Sequence, residues 1–119
     1  VIYNSSIDLL KRFKCMVIEF HQLDFLYKTQ GIKIFTDIFD KILLSHSIVH
    51  MHPNNKGGYT RILNQNIPNT IEFTFINNEL IKKVKNTDLR FPHILDKPCF
   101  PQTKDIDLPK IFYSKSNKF

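Results

Sequence analysis

The chain has 119 residues, a mass of 14.1 kDa, 42% hydrophobic and 24% charged residues, and a net charge of +6. That is enough chain for one core and too little for two ordinary domains, and the composition is that of a globular protein, not a disordered one. No apolar run approaches the ~18–20 residues needed to cross a bilayer. The start, VIYNSSIDLL, lacks the basic-then-apolar pattern of a secretory signal. It also lacks an initiator Met, which suggests a piece of something longer. Two cysteines, Cys15 and Cys99, occur far apart without a CxxC pattern. They fit a reducing, cytoplasmic setting and give neither a disulfide framework nor a zinc ribbon. Lys outnumbers Arg 14 to 3, Ala and Trp are absent, and Ile reaches 16, the profile of AT-rich codons. The lysines are scattered, so the positive charge reads as a solvated surface and not as a nucleic-acid interface.

In chain order, residues 5–13 suggest a short helix capped by Ser5 or Ser6. CMVIEF, residues 15–20, is a dense apolar run and predicts a strand buried on both faces, as in a parallel sheet. Residues 22–30 connect. From Gly31 apolar residues recur at three and four (Ile34, Ile38, Ile42; Phe35, Phe39, Leu43), which predicts an amphipathic helix over 31–45. SIVHMH, 47–52, is a short strand ended by Pro53 and a turn-rich loop. Residues 59–64 show no clear period, and Ile67-Pro68-Asn69 reads as a turn.

TIEFTFI, 70–76, alternates cleanly and predicts a strand. ELIKKVK then reads as a helical turn or a strand end. From Arg90 onward most of the prolines appear and the apolar period is lost. This gives a partial α/β domain over 1–87 and a Pro-rich tail over 88–119, extended on the surface with a frayed end at 114–119. Strand, helix, strand calls for a parallel crossover, and a short loop into a third strand suggests an antiparallel return. That third strand is expected between the other two.

Three predicted strands each carry a polar pair at spacing two: Glu19/His21, His50/His52 and Glu72/Thr74. Residues i and i+2 of a strand share a face. The first two pairs lie at carboxyl ends, where open α/β sheets place their sites. An antiparallel third strand would bring Thr70 and Glu72 to the same edge, beside the Asn54-Asn55 loop. Such a cluster can serve acid/base chemistry through histidine. It can also hold a divalent metal on His50, His52 and Glu19 or His21. The plain alternative is strand-end polar groups that order a loop. No HExxH, Walker lysine or GxSxG pattern occurs, and Gly57-Gly58 is not a phosphate loop.

VIEFHQL, SIVHMHPNNKGG, NIPNTIEFTFI and FPHILDKPCFPQTKDIDL, in that order, resemble the C-terminal half of FkbM-type S-adenosylmethionine-dependent methyltransferases over residues 5–108. The resemblance implies the closing strands of a Rossmann-like methyltransferase sheet, the last of them antiparallel and inserted between its neighbours. It implies O-methylation of a glycan or small molecule. Glu19, His21, His50 and His52 become candidates for proton removal and orientation, and Asn54, Asn55 and Glu72 for substrate binding. The family's S-adenosylmethionine site, a glycine-rich loop and a following acid, belongs to the N-terminal half, so none is expected for this chain alone. Rival readings are a non-catalytic remnant or binding module, and a metal-dependent site on His50/His52/Glu19. The unshielded edge of strand 15–20 predicts self-association or pairing with a missing N-terminal half.

Overall fold

A computed structural model describes residues 1–82 and 90–113. The chain forms a small mixed α/β structure with two antiparallel sheets. The predicted helical turn or strand end at ELIKKVK is a 3-10 turn at Asn78–Leu80, and its remainder beyond residue 82 lies outside the described residues, as does the expected frayed end.

A single turn, α1 (Ile7–Leu10), opens the fold; the Ser6 hydroxyl accepts from the Leu9 amide at 3.1 Å. It is shorter than predicted because Leu10 is its only buried residue, and one anchor does not propagate a helix. β1 (Cys15–Phe20) follows, then a 3-10 turn at Leu23–Tyr27 and α2 (Thr29–Leu43). α2 enters so close to that turn that any Cβ at Gly31 would collide with the Phe25 carbonyl. After β2 (His46–Pro53) comes a hairpin, β3 (Tyr59–Ile62) and β4 (Gln65–Pro68), and then β5 (Ile71–Asn77).

β5 lies between β1 and β2 and is antiparallel to both, as expected for strand 70–76. β1 and β2 therefore run the same way, linked across β5 by α2, but no parallel pair is hydrogen-bonded among the described residues. β1 is not buried on both faces: Met16 points into the core, whereas Val17 is 58% exposed. The apolar run alternates inside and out because α2 covers one sheet face only. On that face Phe20, Phe39, Phe73 and Phe75 interlock with ring centroids 5.0–5.7 Å apart, over fully buried Ile42 and Ile71.

The β3–β4 hairpin corrects the turn predicted at Ile67–Asn69: Ile67 and Pro68 lie in β4, opposite Thr60 and Tyr59. The chain reverses at Leu63 and Asn64, both at positive φ (43° and 63°). Positive φ at both central positions is the two-residue hairpin geometry, usually announced by Asn-Gly, and Leu63 hides it. The tail does more than lie on the surface. Phe91 and Leu108 are buried in the core, joined by a Leu108 amide to Phe91 carbonyl bond of 3.2 Å.

β1 is an edge strand, and no strand pairs with its outer side among the described residues. Unpaired edges associate unless shielded. The chain is expected to self-associate at micromolar concentration, with light scattering giving a mass above 14.1 kDa. A monodisperse monomer would show that the edge is covered.

Candidate active site

The register of β5 assembles the cluster. Glu72 pairs with Glu19 on one side and with His52 on the other, and Thr74 pairs with His50. Glu19, Glu72 and His52 thus form one row across three strands, at the carboxyl ends of β1 and β2. The row depends on an irregularity in β2. Ile48 opposes Phe75 on the core face, and the register then shifts before His50 opposes Thr74. The extra residue is Val49. Without this bulge His50 would oppose Phe73 and both histidines would turn into the core; bulges re-aim side chains in this way.

The tail supplies what the strands lack. His50 Nε2 lies 3.0 Å from Asp96 Oδ1, and His52 Nε2 lies 3.0 Å from Asp105 Oδ2. The two rings stack with centroids 6.5 Å apart, and His93 stands edge-on to His50 at 6.4 Å. Asp96 Oδ2 also accepts from the His93 amide at 2.6 Å, and Asp105 Oδ1 from the Ile106 amide at 3.0 Å. Each carboxylate is therefore held on one oxygen by the tail backbone and presents the other to a histidine. That contact orders the imidazole: a proton on Nε2 donates to the carboxylate, and Nδ1 remains as the acceptor.

Asn55 docks the tail. It is buried; its Nδ2 donates to the carbonyls of Phe100 (2.9 Å) and Thr103 (3.1 Å) and to Thr103 Oγ1 (2.9 Å), while its Oδ1 accepts from the Phe100 amide (2.8 Å). Every polar atom of the side chain is used, so Asn55 holds structure and has nothing left for a substrate. Asn54 Nδ2 donates to Glu19 Oε1 at 2.7 Å, and Glu19 Oε2 meets His21 Nε2 at 2.8 Å. His21 is mostly exposed. Thr70 is buried, and its carbonyl accepts from the Asn54 amide. Glu72 is half-buried and makes no side-chain hydrogen bond among the described residues.

The structure thus gathers Glu19, Glu72, His50 and His52, leaves His21 at the rim, and adds Asp96, Asp105 and His93, which sequence reasoning did not single out. All three lie in the tail motif FPHILDKPCFPQTKDIDL, but the tail has no period that would place them beside the strands. No three His, Cys, Asp or Glu side chains are grouped so as to hold a metal ion among the described residues. Glu19 engages His21 and Asn54 instead of joining His50 and His52. The fifth histidine, His46, is buried between Phe13 carbonyl and Ser45 hydroxyl and is structural. A separate cavity of about 470 Å³, walled by Leu23, Leu26, Ile62 and Phe112 among others, is apolar and contains none of these residues.

Cys99 sits within reach of the acids. Loss of water around its sulfur, and then the negative charges of Glu19, Glu72 and Asp105, push the thiol above its ordinary value. At a given pH less of it is thiolate. In a Cys15→Ser background, its alkylation by iodoacetamide is expected to need higher pH than in the urea-unfolded chain. Glu72→Gln should move the profile back down. An unshifted profile would place the carboxylates away from the sulfur.

Comparison with protein-family models, curated proteins and solved structures gives no match to this chain. The functional reading therefore stands on the site and on the order of its motifs.

Proposed function

We propose that this chain is the substrate-side portion of a Rossmann-like methyltransferase of the FkbM type, acting on a hydroxyl of a glycan or small molecule. The observation that carries the reading is the strand order β1-β5-β2, with β5 antiparallel and inserted, bearing Glu19, Glu72, His50 and His52 at one end. That inserted antiparallel strand is what the resemblance implies, and the residues at its mouth are the matched ones.

S-adenosylmethionine would supply the methyl group in the intact protein. The residues present do not fit that cofactor by themselves. β1 runs into Gln22 and a 3-10 turn without glycine, and β2 runs through Asn55–Gly57 into a hairpin and not into a helix. The chain's own contribution is proton removal and orientation. His50, with Asp96 on Nε2, is the acceptor for a hydroxyl proton; its side chain is 28% exposed, against 11% for the His52 side chain beside it. His52 and Asp105 form a more buried pair that backs the first. Glu72, which makes no side-chain hydrogen bond among the described residues, would accept one from a further hydroxyl of the substrate. Two free cysteines accord with a reducing, cytoplasmic compartment.

One observation favours the second reading, a binding module: the turn after β1 has no glycine, and the Gly57-Gly58 loop after β2 leads into a strand and not into a helix. The test is the coding sequence directly upstream, together with an assay of labelled methyl transfer by the whole gene product to hydroxylated acceptors. A glycine-rich strand–loop–helix in frame and labelled product support the methyltransferase. An upstream region without it, and no transfer, overturn the proposal in favour of the binding module.

A further inference from the structure

The opposite end of the sheet has its own chemistry. Three segments meet there: the turn after α1, the end of α2, and the chain following β5. They are pinned by buried groups. Asn77 donates from Nδ2 to the Lys11 carbonyl (3.1 Å) and from its amide to the Lys14 carbonyl (3.0 Å). A ring nitrogen of His46 meets the Phe13 carbonyl at 2.9 Å, and the Asn78 amide donates to the Ser45 carbonyl at 2.9 Å. Each segment exposes large apolar side chains: Leu9 and Phe13 from the first, Leu44 from the second, Leu80 from the third. The same segments expose Lys11, Arg12, Lys14 and Lys82, against the carboxylates of Asp8, Asp40 and Glu79.

Four large exposed apolar side chains lie on segments hydrogen-bonded to one another at one end of the sheet, together with four cations, and so offer a contact surface. We propose that this end docks on an anionic lipid surface, leucines and Phe13 entering the headgroup–acyl boundary and the cations meeting lipid phosphates. The charge balance selects a negative partner. The aliphatic side chains select a bilayer over nucleic acid, which is held by stacking aromatics and arginine forks; among the described residues named at this end Phe13 is the only aromatic and three of the four cations are lysine. Because β1 and β2 both run away from this end, the histidine cluster stays open to solvent when the chain is docked. The proposal is independent of the methyltransferase reading.

The test is co-sedimentation of the 119-residue chain with phosphatidylcholine vesicles, with and without phosphatidylglycerol, at low and high salt. Binding is expected only to the anionic vesicles, weakening with salt. The pair Lys11→Glu/Arg12→Glu should lower the bound fraction about tenfold or more. Leu44→Ser/Leu80→Ser should lower it several-fold at unchanged charge. Lys97→Glu/Lys104→Glu, which removes the same charge from the other end, should leave it unchanged. All six positions are exposed, and circular dichroism matching the parent verifies each fold. No sedimentation with anionic vesicles, equal binding to neutral vesicles, equal loss from both charge pairs, or displacement by duplex nucleic acid would each overturn the proposal.

Discussion

Replacing Asn55 by aspartate is expected to destabilise the chain by about 3 kcal/mol or more and to release the tail. The change is nearly isosteric, so it isolates the hydrogen bonds from packing. The native amide donates to two carbonyls and a hydroxyl. A carboxylate there turns donor into acceptor, faces the Phe100 and Thr103 carbonyl oxygens and is buried without a cation. Asn54→Asp, at a half-buried position where one bond to Glu19 is at stake, should cost about 1 kcal/mol. Urea unfolding midpoints compare the two, and trypsin cleavage after Arg90 and Lys104 reports the tail directly. Parental cleavage in the Asn55 variant would mean that the tail is held by Phe91 and Leu108 alone. If the tail lifts, Asp96 and Asp105 leave with it, so the same variant also dismantles both histidine–carboxylate pairs.

Replacing His50 by glutamine is expected to lower methyl transfer by roughly 10²–10⁴-fold, the range for loss of a general base. The assay uses the intact protein that carries the cofactor-binding half. Glutamine retains a donor for Asp96 Oδ1, so the tail should stay docked and the urea midpoint should move little. It cannot take a proton from the substrate hydroxyl, so the rate should fall while the fold is kept. Asp96→Asn, at a positioning residue, should give a smaller loss of turnover. Parental turnover in the His50 variant would transfer proton removal to another member of the cluster, His52 first.

Much of this arrangement is legible in the residues alone. The alternation of Ile71, Phe73 and Phe75 predicts β5 and its buried face, because a strand with one face on a core cannot slip register without exposing three large side chains. The three-and-four spacing of Ile34–Leu43 predicts α2 for the same reason on a helical period. Spacing-two pairs on consecutive strands nominate Glu19, His21, His50, His52, Glu72 and Thr74, of which His21 lies at the rim.

The remainder came from contacts distant in sequence. Whether CMVIEF is buried on one face or two depends on what covers the sheet: α2 lies on one face, and on the other the tail packs at His50 and His52 of β2 and leaves Val17 exposed. The hairpin at Leu63-Asn64 carries no glycine, so local preference is overridden by the pairing of Tyr59–Ile62 with Gln65–Pro68. The bulge at Val49 leaves no trace in composition, yet it decides which face His50 and His52 occupy. Asp96 and Asp105 lie about fifty residues from their partners in a tail without period, and only packing of Phe91 and Leu108 into the core brings them over the strands. Sequence thus determined the strands and helix that make the frame, since those follow from local periodicity and burial. Tertiary structure alone decided the chemistry of the site, since a histidine's partner is set by where the rest of the chain packs and not by its neighbours in sequence.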